Sequence, residues 1–198
     1  MVAAVAMAGE DHFVEEATSV KFPLDIPGEK SSLVLLGATV RVKKILFVNV
    51  QVYAVGVYTE PGVVEELKGK EPNDMYKYLM EHPVQSSLRL TMVRSVTGDQ
   101  MGGALKEAVQ PRLKLFARDE ASTAGDMSAF EKQFDMSSLA AGTVLTFSRL
   151  QNGNLRVSRQ RFSCGTIEAA SAPAGVVTRD WWEARDGRSK IPLELGTG

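Results

Sequence analysis

Two consecutive runs rich in valine, leucine and tyrosine constrain the fold of this chain more than any other feature. They cover Ser32 to Val42 and Val48 to Thr59, so that only a short segment separates them. β-Branched and aromatic residues suit a pleated, half-buried surface, and both runs are therefore predicted to be strands. A connection this short joins antiparallel neighbours, because parallel strands need a long crossover. An antiparallel pair of strands is therefore the centre of the predicted domain.

Shorter segments with strand character surround this pair. They are Ser19 to Phe22, Ser87 to Val93, Gly142 to Leu150 and Asn154 to Phe162. Asn152 and Gly153, between the last two segments, tolerate the positive φ values that a tight hairpin turn requires. The last two segments are therefore predicted to form a second hairpin.

Helices are predicted between these strands. The segments are Pro61 to Gly69, Asn73 to Glu81, a longer stretch that begins at Asp99, and Ser128 to Phe134. Asn73 is the predicted N-cap of its helix, and Pro111 is predicted to kink or divide the helix from Asp99. Strands, then helices, then strands indicate an α+β fold, in which an antiparallel β-sheet carries a layer of helices on one face as an open-faced β-sandwich.

Composition narrows the classes of partner. The chain has 198 residues, 44% of them hydrophobic, and a net charge of -1, which favours neither nucleic acid nor an anionic membrane. No stretch approaches the roughly 18 apolar residues of a membrane span, so a soluble protein is expected. Cys164 is the single cysteine, and His12 and His82 are the two histidines, so that no metal site, cofactor or disulfide is predicted. A small-molecule ligand and a reducing compartment are expected.

One pair of polar side chains stands out on the two central strands. With the centre of the hairpin placed near Phe47, Arg41 and Tyr53 lie opposite each other and leave the same face of the sheet. A guanidinium offers a rigid fork of donors that suits a carboxylate, and a phenol adds one more donor. If a helix covers that face, Arg41 is a charge in apolar surroundings that needs an anionic partner. The alternative is an arginine that reaches solvent or pairs with a glutamate.

The helix from Asp99 offers an apolar cover for this face. Its apolar residues follow the spacing of one helical face: Met101, Ala104, Leu105, Ala108 and Val109. The small residues among them and at Gly102 and Gly103 are expected to leave volume above the sheet, and Met101 adapts to a flexible chain. A helix face that is simply core packing remains the alternative.

The same residues carry a family resemblance. Gly37-Ala38-Thr39-Val40-Arg41, followed by Val52-Tyr53-Ala54-Val55-Gly56-Val57-Tyr58, resembles the signature hairpin of the chalcone isomerase fold family. In this resemblance Arg41 falls on the catalytic arginine of the plant enzyme and Tyr53 on a threonine. Thr97-Gly98-Asp99-Gln100 is similar to the segment that opens the active-site helix of the enzyme. The likeness covers roughly residues 18 to 160, so it implies the chalcone isomerase fold.

Departures from the enzyme imply a subfamily. A tyrosine, a lysine and an asparagine of the active-site helix correspond here to Met101, Ala104 and Ala108, whose side chains donate no hydrogen bond. Stabilisation of a developing enolate is therefore expected to be missing. The pattern is similar to the non-catalytic, fatty-acid-binding members from plants and algae. The resemblance thus implies a fatty acid ligand, no catalytic residue and no cofactor, with a binding site made of Arg41, Tyr53, Thr97, Met101, Ala104, Leu105 and Ala108.

Two other functions stay open at this point. One is a chalcone-flavanone isomerase, an intramolecular lyase in which Arg41 stabilises the substrate oxyanion; the other is a protein that assists other enzymes without a ligand of its own. The resemblance also implies a chloroplast location, although the N-terminus shows no clear transit peptide. A monomer is expected, with a flexible lead-in at residues 1–17, a chalcone isomerase-like domain at 18–165 and an atypical tail at 166–198.

Overall fold

The computed structural model describes residues 11–116, 128, 132–134, 138–152 and 154–160. Eight strands occur in these ranges: β1 His12–Glu15, β2 Val20–Pro23, β3 Asp25–Ile26, β4 Leu33–Ile45, β5 Val48–Thr59, β6 Ser86–Met92, β7 Val144–Arg149 and β8 Leu155–Gln160. The helices are α1 Pro61–Leu67, α2 Pro72–Glu81 and α3 Gly98–Phe116, with a short 3-10 helix at Lys132–Phe134. Strands β3 to β8 form one antiparallel sheet in chain order, and β1 pairs with β2 in a second sheet.

The main core lies between the six-stranded sheet and the helices. Strand β5 directs Tyr53, Val55 and Val57 into this core, because alternate side chains of a strand leave the same face. Each helix contributes buried apolar residues to the same cluster: Val63 and Leu67 from α1, Met75 and Leu79 from α2, and Met101 and Leu105 from α3. The predicted α+β fold, an antiparallel sheet with helices on one face, is confirmed.

The two-stranded sheet of β1 and β2, called the small sheet below, covers the other face of the six-stranded sheet. Phe22 of β2 is fully buried against Ala38 and Ala54, and Phe13 of β1 packs against the same cluster. Gly56 of β5 permits this contact, since a Cβ there would lie 2.7 Å from Cδ1 of Phe22. Residues 12–15 were expected within a flexible lead-in and instead form β1, because the side chain of Phe13 finds an apolar surface on this face.

The helices differ from the prediction at two points. Asn73 is not the cap of α2: Glu71 occupies the N-cap position without a side-chain hydrogen bond, and Pro72 begins the helix. Proline fits the first turn because its missing N–H would have no partner there in any case. Pro111 was expected to kink or divide the helix, and the division does not occur, since α3 continues to Phe116. Of the helix predicted at 128–134, residues 129–131 lie outside the described residues, and Lys132–Phe134 form a 3-10 turn.

The second hairpin is confirmed. Strands β7 and β8 pair from Val144 with Gln160 to Arg149 with Leu155, and the N–H of Asn154 donates to Oδ1 of Asn152 over 2.9 Å in the turn. The guanidinium of Arg149 donates to the carbonyl oxygens of Leu79 and His82, which ties the end of α2 to the sheet. The predicted tail at 166–198 lies outside the described residues.

Candidate functional site

The pairing of Arg41 with Tyr53 across β4 and β5 is confirmed, but for a reason that the sequence did not show. The hairpin turns at Leu46–Phe47, half a residue before the predicted centre, and an uninterrupted ladder would place Arg41 opposite Val52. A register shift leaves Val52 as an extra residue of β5 and restores the pair. The carbonyl oxygen of Val52 accepts a hydrogen bond from the N–H of Val93 over 3.0 Å, which anchors the bulge at the end of β6.

The two side chains lie on the helix-facing side of the sheet at different depths. Residues that are directly opposite in an antiparallel pair share a face, and Tyr53 belongs to the main core. Tyr53 is buried, whereas Arg41 is exposed, so of the two alternatives left open by the sequence the structure shows the arginine that reaches solvent. The pair therefore combines a buried phenol with a guanidinium at the rim.

Electrostatics keep the phenol protonated. Burial raises the pKa of Tyr53 well above its ordinary range, and the nearby charge of Arg41 offsets part of that rise. The hydroxyl of Tyr53 is consequently a neutral hydrogen-bond donor at any physiological pH. None of the ion pairs among the described residues includes Arg41. The arrangement can thus offer a positive charge and a neutral donor to one anionic group.

Helix α3 begins with a reciprocal cap. Oγ1 of Thr97 accepts a hydrogen bond from the N–H of Gln100, and Oε1 of Gln100 accepts one from the N–H of Thr97, both over 3.1 Å. This capping box satisfies two donors that the helix cannot satisfy itself. Thr97, a predicted ligand-binding residue, is therefore the N-cap of α3. Its side chain is exposed.

The predicted apolar face of α3 is narrower than expected. Met101 and Leu105 are buried in the main core, while Ala104 is exposed among the described residues. Successive helical residues turn by about 100°, which places Ala104 at the edge of a face centred between Met101 and Leu105. The side chain of Ala108 lies outside the described part.

The glycines of α3 do not leave the expected space above the sheet. A Cβ on Gly102 would lie 3.2 Å from Cβ of Phe134, so this glycine permits close packing of the helix on the 3-10 turn. Gly103 is exposed, and no described atom lies within 4 Å of the position of its Cβ. The volume at Gly102 is therefore filled by an aromatic ring.

Two residues beside the pair were missed by the sequence reasoning. Met92 of β6 lies directly opposite Tyr53 on its other side and is buried. Thr39 precedes Arg41 by two residues, so it shares the same face and places a half-buried hydroxyl there. The two-residue period of β4 could have identified Thr39. Met92 required the register between β5 and β6, which sequence spacing does not give.

The described residues limit other kinds of site. No group of three histidine, cysteine, aspartate or glutamate side chains within them is placed to hold a metal ion. No helix in these ranges has the length and apolar character needed to cross a membrane.

Comparisons with known proteins agree with this architecture. A family model described as "Chalcone isomerase-like" matches residues 14–176. A curated relative, "Chalcone isomerase-like protein 2" of Humulus lupulus, is 34% identical over 103 residues, which are 48% of this chain and 49% of the relative. The match thus spans about half the length of that relative. The activity of the whole relative is therefore not assigned to this chain.

A solved structure shares the fold. The crystal structure of a fatty-acid binding protein of Arabidopsis thaliana superposes with a TM-score of 0.66 and 22% sequence identity, and the match covers 85% of each chain. At this identity the likeness concerns the arrangement of strands and helices. The fold inferred from the sequence and the fold of this neighbour are the same.

Proposed function

We propose that this chain, which belongs to the chalcone isomerase-like family, binds a fatty acid or a similar amphipathic carboxylate on the helix-facing side of its sheet. The observation that carries the proposal is the pairing of exposed Arg41 with buried Tyr53 across β4 and β5. No bond is made or broken in this function. The ligand is held by its two ends, the charged head at the rim and the acyl chain in the core.

The head group meets two donors of different kinds. The guanidinium of Arg41 provides two parallel N–H donors that match the two oxygens of a carboxylate. Tyr53 contributes a hydroxyl that burial keeps protonated, so it donates to the carboxylate and does not repel it. A hydrogen bond to a charged group contributes about 1.5–3 kcal/mol, and the carboxylate receives two such bonds from Arg41 and one from Tyr53. Arg41 therefore supplies the larger part of head-group affinity.

The acyl chain of the ligand packs along two methionine side chains of the main core. Met92 and Met101 both belong to the cluster that contains Tyr53, and Leu105 continues that cluster along α3. Methionine side chains are unbranched and repack easily, so they yield to a flexible chain at little cost. Each methylene removed from water contributes about 0.8 kcal/mol. An acyl chain that enters beside Tyr53 gains most of its affinity from this cluster.

The comparisons support a ligand of this class. The Arabidopsis thaliana neighbour is a fatty-acid binding protein, and its fold is shared over most of both chains. Isomerisation of a chalcone would need polar groups on α3 near the developing enolate. Among the side chains of α3 that the structure describes, Met101 and Leu105 are the ones buried in the core, and they donate no hydrogen bond. The binding function is therefore favoured over the lyase function.

A titration with a fluorescent fatty acid tests the head-group contact. Arg41→Ala should weaken binding about 10- to 100-fold, in line with the loss of a charged hydrogen bond. Tyr53→Phe keeps the ring and removes a single donor to the carboxylate, so a loss of about tenfold, at the lower end of the range for Arg41→Ala, is expected. Lys44→Ala is the matched control, because it removes an exposed cation of the same strand from the opposite face.

Two results would rule out this contact. One is unchanged affinity in the Arg41→Ala variant with the fold intact by circular dichroism. The other is an equal loss for Lys44→Ala, which would reduce the effect to general electrostatic attraction. Conversion of an added chalcone faster than its spontaneous rate by the wild-type chain would show catalysis and contradict the assignment of pure binding.

A further inference from the structure

The tip of the β4–β5 hairpin is the most exposed apolar surface that the structure describes. Leu46 is 85% exposed, Phe47 is 95% exposed and Val48 is 63% exposed. All three are consecutive, and Val42, at 42% exposure, extends the patch along β4. A contiguous group of large apolar side chains at a protruding turn is a feature of interaction sites.

The backbone conformation of the tip does not favour a large apolar residue at the turn. Leu46 has a φ of 56°, a left-handed conformation that glycine or asparagine adopts more easily. Two-residue hairpin turns strongly favour such residues, and the chain uses Asn152 and Gly153 at its other hairpin. A leucine in this position is strained, and strain that persists at an exposed site indicates a function for the side chain.

Positive charges surround the apolar tip. Arg41, Lys43 and Lys44 are exposed on β4, and the segment from Arg41 to Tyr53 contains no aspartate or glutamate. Side chains alternate along a strand, so Lys43 lies on the face of Arg41 and Lys44 lies on the opposite face. The net charge of -1 for the whole chain hides this local concentration. The tip is thus an apolar end with cations behind it on both faces.

We propose that the β4–β5 tip, defined as residues 41–48, docks this protein on the surface of a lipid bilayer that contains anionic lipids. In a strand each residue advances about 3.3 Å, so Leu46 reaches roughly 7 Å beyond Lys44, and Phe47 lies at a similar level because the chain reverses between the two residues. That distance matches the depth of about 5–10 Å to which interfacial segments enter the boundary of head groups and acyl chains. Lys43 and Lys44 then lie at the level of the anionic head groups on both sides of the hairpin.

A lipid surface fits this arrangement better than a protein groove. Cations on both faces of the hairpin suit a plane of negative charge that surrounds an inserted tip, whereas a groove would contact one face. Anionic bilayers attract each exposed lysine with a free energy that corresponds to about a fivefold change in affinity. Lys43, Lys44 and the apolar residues 46–48 carry the inference, so it does not depend on what binds beside Arg41 and Tyr53.

Co-sedimentation of the full chain with vesicles tests the docking surface. Vesicles of phosphatidylcholine with about 30% phosphatidylserine should bind the protein, and pure phosphatidylcholine should bind it at least tenfold more weakly. Leu46→Ser combined with Phe47→Ser should reduce binding about tenfold or more. Lys43→Gln combined with Lys44→Gln should reduce it about 25-fold and remove most of its salt dependence. Val14→Ser, at an exposed valine on β1, should leave binding unchanged.

Leu46→Gly separates docking from folding. Glycine adopts the positive φ at this position without strain, so the variant should be at least as stable as the wild type and still bind vesicles more weakly. No binding of the wild-type chain to anionic vesicles would overturn the proposal. Full binding by the tip variants would overturn it as well. A dimer in solution that Phe47→Ser dissociates, without vesicle binding, would assign the tip to protein association and contradict lipid docking.

Discussion

The two halves of the β4–β5 ladder share many valine residues and have opposite environments. Near its base, every residue from Tyr53 to Thr59 is buried, because helices cover one face and the small sheet covers the other. Toward the tip, residues 41–44 and 46–49 are exposed. Both halves are rich in valine and leucine. Valine-rich composition therefore explains why both halves form strands. The layers packed against the ladder determine which half is buried and contributes to the stability of the fold.

Phe22→Ala and Phe47→Ala are the strongest test of this division. Phe22 is fully buried over the base of the ladder, and Phe47 is 95% exposed at the tip. Removing a buried phenylalanine side chain typically lowers the free energy of unfolding by about 3–5 kcal/mol. The same substitution at the tip should change it by less than about 0.5 kcal/mol. Urea unfolding of both variants measures the contrast, and similar losses for both would refute it.

Gly56→Ala probes how tightly the base is packed. The added Cβ would lie 2.7 Å from Cδ1 of Phe22 and 3.1 Å from Cδ1 of Leu35, so neighbouring rings and methyl groups must shift. Overpacking of this kind costs about 1–3 kcal/mol.

Gly103→Ala is the matched control for that substitution. Among the described atoms none lies within 4 Å of the new Cβ, and alanine favours a helix over glycine by roughly 0.5–1 kcal/mol. Thermal unfolding should therefore shift down for Gly56→Ala and up for Gly103→Ala. A downward shift of similar size in both would contradict the assigned packing.

The pH dependence of stability tests whether Tyr53, where the buried half of the ladder begins, is buried in solution. Its pKa is raised by burial, while an unfolded tyrosine titrates near pH 10. Its contribution to stability is therefore complete below about pH 10 and is lost as the pH rises toward the folded value. By pH 11 the loss attributable to one such tyrosine is about 1.4 kcal/mol.

The variant Tyr53→Phe has no group that titrates at this position. Between pH 9 and pH 11 its free energy of unfolding should fall by about 1.4 kcal/mol less than that of the wild type. Urea unfolding at the two pH values gives both differences. Equal losses in the two proteins would show that Tyr53 ionises as easily in the folded state as in the unfolded state.

The hairpin shows what sequence patterns can and cannot predict. Two valine-rich runs were enough to predict β4 and β5 and their antiparallel pairing. The pairing of Arg41 with Tyr53 was also predicted. It depends on a bulge at Val52, however, and no residue pattern in the sequence indicates that bulge. The carbonyl oxygen of Val52 in this bulge accepts a hydrogen bond from Val93, which directly follows β6, and a contact this distant in sequence is not encoded in local spacing.

Burial was the property that the sequence predicted least well. The exposure of Arg41 and Ala104 depends on where the helices end over the sheet and on how α3 is rotated, and both are set by tertiary packing. Strand β1 formed because Phe13 meets a surface made by β2, β4 and β5, which a local pattern cannot show. The cap at Asn73 was wrong because proline one residue earlier starts a helix more readily.

Carbon-13 NMR of a carboxyl-labelled fatty acid bound to the protein tests the central claim most directly, because it observes the head group itself. Contact with the guanidinium lowers the pKa of a carboxylic acid, so the bound carboxyl of the wild-type complex should stay ionised to a lower pH than in the complex with Arg41→Ala. The Lys44→Ala complex should titrate like the wild type. Identical titration of the bound carboxyl in the wild type and in Arg41→Ala would show that the head group does not lie beside Arg41.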